Sequence, residues 1–126
     1  MKEYIFFIRK QTNSEQTLSA EKHQLFLKAC EAYIADLKQK SRLISAQPIV
    51  WDGVIISKHY DLWKEENIDI TKEVIGGYYH ILAADLAEAL QIAKANPEFM
   101  FNEGTRIEVR PLKTKENSTG FVYPTK

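Results

Sequence analysis

The chain has 126 residues and a mass of 14.6 kDa, which fits one domain on the usual scale of roughly 100–200 residues each. Apolar residues supply 44% and charged residues 27%, a balance that excludes disordered and collagen-like chains. Lysine plus arginine and aspartate plus glutamate both number 17, so the net charge is zero and the basic excess typical of a nucleic-acid binder is absent.

In chain order, Tyr4-Ile5-Phe6-Phe7-Ile8 is apolar on both alternating faces and reads as a strand covered on both sides. Residues 10–18 are polar, with Thr12, Asn13 and Ser14 as turn formers, and read as a loop. Ser19 is an N-cap for a long amphipathic helix from residue 20 to about residue 40, free of Pro and Gly. Its stripe comprises Leu27, Cys30, Ile34 and Leu37, widened by Phe26 and Tyr33, and His23 continues it into the first turn. Residues 43–50 form the next strand. Asp52-Gly53 is a hairpin signal leading into a returning strand over residues 54–57. The polar segment 58–72, which holds His59, Tyr60 and Trp63, is either a lid or a longer hairpin. Residues 75–83 form a strand that opens on Gly76-Gly77, where a bulge or a close backbone approach is expected. Asp85 and Glu88 make a capping box for a second helix with Leu86, Ala89, Leu90 and Ala93 inside, ending near Asn96 because Pro97 follows. Residues 106–112 form the last strand. The tail over residues 113–126 is polar apart from Phe121-Val122-Tyr123.

This order predicts an α+β, ferredoxin-like split βαβ domain with an extra hairpin strand and both helices on one sheet face. The other face carries large residues too, and a second copy of the same sheet is the simplest cover. A homodimer whose sheets close into a dimeric α+β barrel is therefore expected. On the last strand Ile107, Val109 and Pro111 point to the helices, and Arg106, Glu108 and Arg110 point into the barrel, where Tyr78 and His80 can join them. Such charges must be paired, since an isolated buried charge costs several kcal/mol. They are either an interface network or a pocket for a small anionic or carbonyl-bearing molecule.

Three segments, Thr71-Lys72-Glu73-Val74-Ile75-Gly76-Gly77-Tyr78-Tyr79, Asp85-Leu86-Ala87-Glu88-Ala89-Leu90 and Ile107-Glu108-Val109-Arg110-Pro111-Leu112, together resemble the YCII-related proteins, specifically their DGPF branch. The resemblance runs over residues 1–112 and implies a dimeric α+β barrel with no assigned activity. Glu65-Glu66-Asn67-Ile68-Asp69-Ile70 stands where the D-G-P-F segment would sit, so the tight Gly-Pro turn is missing. The family's proposed acid–base dyad maps its histidine to His23 and its aspartate to Asn96, before Pro97. An amide can orient a neutral imidazole but cannot stabilise imidazolium as a carboxylate would.

Three functions remain open. The first is cofactor-free proton transfer on a small oxygenated or aromatic compound, with His23 as base and Arg110 or Arg106 stabilising negative charge. The second is a small-ligand sensor or carrier, and the third a dimeric interaction domain without a pocket. His23 is otherwise a histidine bonded at the helix–sheet seam, and His80 is either a structural partner of Glu108 across the sheet or a functional residue. No metal or cofactor is indicated: His23, His59 and His80 lack ligand spacing, and there is no phosphate loop or nucleophile elbow. Cys30 reads as an inert core thiol in a reducing cytoplasm. No apolar run approaches the ~18 residues of a membrane span, so neither membrane nor nucleic acid is expected as a partner.

Overall fold

The first strand divides its side chains between two environments, and the rest of the fold is arranged around that division. In the computed structural model, which describes residues 1–11 and 18–124, strand β1 (Lys2–Gln11) runs past the apolar run at both ends. Tyr4, Phe6 and Ile8 are buried, whereas Glu3, Ile5, Phe7 and Arg9 are half-buried. The loop expected over residues 10–18 starts later, because Lys10 and Gln11 still pair with Val74 and Glu73. Its turn formers Thr12, Asn13 and Ser14 lie outside the described residues.

Helix α1 (Ala20–Gln39) begins where the cap predicts, with the Ser19 hydroxyl accepting from the Lys22 N–H at 3.2 Å. Strands β2 (Leu43–Pro48), β5 (Glu73–Ala83) and β6 (Arg106–Pro111) join β1 in an antiparallel sheet of order β2-β5-β1-β6. Helix α2 (Leu86–Lys94) starts at the capping box: Asp85 accepts from the Glu88 N–H at 2.9 Å, and the Glu88 carboxylate reaches back to the Ala84 N–H at 3.0 Å. A single-turn helix α3 (Glu98–Phe101) follows Pro97. Leu37 of α1 and Ala89 and Ala93 of α2 share one core with Tyr4, Phe6, Ile8, Tyr79, Ile81 and Ala83. Both helices therefore cover the same sheet face, and the ferredoxin-like α+β reading holds.

The hairpin differs from expectation. Strand β3 (Val54–His59) does not return along β2; it pairs with β4 (Leu62–Asn67) in a separate two-stranded sheet. A two-residue hairpin turn requires positive φ at its first or both central residues. Gly53 is not among the positive-φ residues; Tyr60 is, at 55°. The reversal thus falls at Tyr60-Asp61, and β2 is left free to take β5, with Ala46 opposite Tyr79. The base of the arm is closed by the Ile68 N–H donating to the Gly53 carbonyl at 2.8 Å. Segment 58–72 is hence mostly a strand of this arm rather than a lid.

Register decides which side chains share the open face. His80 and Arg110 flank Ile5, and Tyr78 and Glu108 flank Phe7, so these four and Arg106 lie opposite the helices, as the alternation predicts. Ile107 and Val109 pack towards the core. Pro111 lies opposite Tyr4, on the helix side, yet is exposed at the strand's end. Ile8 pairs with Gly77 and Arg9 with Ile75, so Gly76 is the extra residue of a bulge. That bulge reverses the phase of β5: Tyr79 and Ile81 face the helices beyond it, Val74 before it.

Candidate functional site

The bulge opens a hollow. Between α1 and the β2–β5 edge lies a cavity of about 390 Å³, walled by Phe26, Cys30 and Ile34 of α1, by Ile8 and Tyr79 of the sheet, and by Trp51 beyond β2. Its polar end is an ion pair: the Lys10 ammonium stands 3.1 Å from Glu98 Oε1, with side chains only 21% and 11% exposed. Lys10 also lies 5.5 Å from the centre of the Phe26 ring. Glu98 accepts a second bond from Asn102 Nδ2 at 2.7 Å.

His23 reaches this cavity from the rim, and here the sequence reading is corrected. The imidazole is exposed, not partly buried on the stripe. The first turns of α1 overhang the sheet, so only Phe26 and Leu37 of the helix are fully buried and Leu27 is 51% exposed. The nearest ring is Phe26, at 6.3 Å between centroids. No side-chain hydrogen bond holds the imidazole among the described residues.

Asn96 is 1% exposed, and its Oδ1 accepts from the Glu98 N–H at 2.9 Å. That bond fixes the start of α3 and leaves Nδ2 without a hydrogen-bond partner among the described residues. The amide oxygen is therefore spent on the backbone beside it, and no hydrogen bond joins Asn96 to His23 among the described residues. Tyr33 and Tyr79 lie next to it. Burial, more than the neighbouring phenol, pushes Tyr33 above its ordinary value. Burial first and then Cys30 push Tyr79 up to about 12, with Asn96 opposing the rise in both. Cys30 is pushed up to about 11, first by burial and then by the Glu98 charge, which agrees with an inert thiol.

The open-face residues assemble differently from the Arg–Glu–Arg alternation alone. Glu108 does bond Arg110, at 3.1 Å, but its closer partner is Arg9, at 2.8 and 2.6 Å. Arg9 continues to Glu73 at 3.4 Å, and Glu73 is gripped by Arg106 at 2.7 and 2.6 Å. The result is one ladder, Arg110–Glu108–Arg9–Glu73–Arg106. Hydrogen bonds from Arg106 hold Glu73 below the usual carboxylate range, and bonds from Arg9 and then Arg110 do the same for Glu108. His80 does not pair with Glu108. It contacts Glu3 at 2.7 Å, because the register sets Glu108 beside Phe7, two residues from Ile5 where His80 stands.

The predicted residues thus fall in three places. His23 and Tyr78 border the cavity, Asn96 is buried beside Tyr33 and Tyr79 without lining it, and Arg106, Glu108, Arg110 and His80 are on the far face of the sheet. Lys10, Glu98, Arg9 and Glu73 were not singled out from the sequence. Parity could have found two of them, since Arg9 continues the Ile5–Phe7 face and Lys10 the Phe6–Ile8 face. A larger groove, about 550 Å³, lies between the C-terminal half of α1 and α2. Its charges pair among themselves, Lys40 with Asp36 at 3.0 Å and Arg42 with Glu88 at 3.2 Å, and it holds none of the predicted residues.

Among the described residues, no three His, Cys, Asp or Glu side chains are grouped to hold a metal, and no helix is long and apolar enough to cross a membrane. No curated protein matches the chain. The model of one family, the YCII-related domain, matches residues 3–113, which include the three helices and, but for Lys2, the six strands of the described residues, with every residue of the cavity and the ladder. On that match, and on the α+β fold it accompanies, the chain belongs to the YCII-related domain family.

Proposed function

We propose that this protein is a homodimeric binder of a small, ring-sized molecule, held in the cavity between α1 and the sheet. The observation that carries the reading is the cavity itself: a largely apolar hollow of about 390 Å³ that ends in the largely buried Lys10–Glu98 pair. Ligand sites combine those properties, an apolar wall with a few convergent polar groups. The dimer is supported by the open face, where Ile5 and Phe7 stay partly accessible and Ile75 is 38% exposed. A twin sheet packed there would remove this apolar surface from water.

The test is a thermal-shift screen of small acids, phenols and hydrocarbons on the full chain. A saturable rise in melting temperature, absent when Ile34→Trp fills the cavity, is expected by mass action. No rise with any compound would sink the reading.

A second reading adds cofactor-free proton transfer, favoured by the place of His23 at the cavity mouth. With no side chain holding its ring among the described residues, His23 would be oriented by the bound molecule itself. His23→Ala should then abolish conversion of a compound identified in the screen while leaving its binding intact. Unchanged conversion would leave binding alone.

A further inference from the structure

The polar end of the cavity sets a hydrogen-bond donor beside an acceptor, and from it we infer that the molecule bound there is an uncharged ring bearing a hydroxyl group, a phenol, whose O–H donates to Glu98 while its oxygen accepts from Lys10. This rests on the cavity reading above and goes beyond it by naming the ligand's chemistry.

Glu98 is 9% exposed. Its Oε1 takes both Lys10 and Asn102, whereas Oε2 bonds to nothing among the described residues. The Lys10 ammonium carries three hydrogens. One faces Glu98 Oε1, and the face of Phe26 attracts the charge. A hydrogen is left beside an unfilled carboxylate oxygen. A hydroxyl group, donor and acceptor on one atom, satisfies both.

Charge decides against the alternatives. Glu98 already neutralises Lys10, so an entering carboxylate would meet a second carboxylate in a largely buried site with no spare cation beside it. A hydrocarbon ring would fill the apolar walls and leave both polar groups dry. Size agrees: a cavity of ~150 Å³ already admits benzene, so a hollow of about 390 Å³ holds one substituted ring with room to spare.

Lys10 is kept in place by what Gly76 lacks. A Cβ there would stand 3.0 Å from Lys10 Cδ, 3.2 Å from Cγ and 3.3 Å from Cε. The bare glycine lets the lysine stem lie flat across the bulge and deliver its ammonium to Glu98. Gly76 is a positioning residue for the anchor.

Calorimetric titration of the full chain with phenol, toluene and benzoate tests the inference. Phenol should bind at least about tenfold more tightly than toluene or benzoate. Lys10→Met and Glu98→Gln should each remove that advantage while leaving toluene within about twofold. Gly76→Ala should weaken phenol in the same direction, and it carries the comparison if circular dichroism shows either charge variant unfolded. Benzoate binding more tightly than phenol would overturn the inference, as would equal affinity for phenol and toluene or indifference of phenol to all three substitutions; in these cases the cavity reading stands. Failure of all three compounds to bind would overturn the cavity reading, and the inference with it.

Discussion

Arg106 grips Glu73 through two parallel hydrogen bonds, Nε to Oε2 at 2.7 Å and Nη2 to Oε1 at 2.6 Å. Because these bonds favour the charged carboxylate, Glu73 titrates below its ordinary 4.5 when folded. Its contribution to stability is therefore complete above that value and is lost as pH falls through the lowered pKa. The melting-temperature gap between the natural chain and Glu73→Gln should be constant above the ordinary value and narrow below it. A gap independent of pH would show that the charge of Glu73 adds nothing to folding.

The core face makes a different demand. Phe6 is fully buried between the helices and the sheet, so Phe6→Ala should lower unfolding stability by about 3–5 kcal/mol in urea titration. A loss under about 1 kcal/mol would mean that the helices do not pack on this face as described.

Phe7, one residue along, tests the other face. If a second sheet covers Ile5 and Phe7, the natural chain should sediment at twice 14.6 kDa, and Phe7→Glu should return it to 14.6 kDa with the far-UV spectrum unchanged. A natural chain that sediments as a single copy at micromolar concentration would remove the dimer.

Cys30 offers a reading of the cavity's charge. With its thiol at about 11, alkylation by iodoacetamide near neutral pH should be slower than for free cysteine by about two orders of magnitude. Glu98→Gln should speed it, because the Glu98 charge is the second cause of the shift after burial. An unaltered rate in Glu98→Gln would place that carboxylate too far from the thiol to matter.

The two glycines of the bulge should behave differently. A Cβ on Gly77 would stand 3.3 Å from the Gln47 carbonyl oxygen and 3.5 Å from Pro48 Cα, which are backbone of the neighbouring strand, whereas the three atoms nearest a Cβ on Gly76 all belong to the flexible stem of Lys10. Gly77→Ala should cost about 1–3 kcal/mol and Gly76→Ala about 0.5 kcal/mol or less, by denaturant unfolding. The reverse order would contradict the register at the bulge.

Much of this molecule is local chemistry and was readable as such. Ser19 and Asp85 cap the helices they were expected to cap, because a side-chain oxygen facing free amides needs only residues three apart. Alternation on the last strand was enough to send Ile107 and Val109 one way and Glu108 and Arg110 the other. Family membership was legible in the three segments from Thr71 onward, and the matched span, residues 3–113, agrees with it.

The partners of those side chains were not legible, and the reason is register. A strand's own alternation says which face a residue occupies, but sliding the neighbouring strand changes what stands opposite. His80 finds Glu3, Arg106 finds Glu73, and Lys10 meets Glu98 across 88 positions of chain only after β1, β5 and α3 are fixed in space. The arm shows the same limit: Asp52-Gly53 carries the composition of a turn, yet the chain reverses at Tyr60-Asp61, and β2 pairs with β5 over the core. Short-range sterics and hydrogen bonding wrote the elements and their faces into the sequence itself. The cavity, its charged end and the exposed position of His23 exist only because long-range packing set α1 across a bulged sheet edge, leaving the helix's first turns overhanging it.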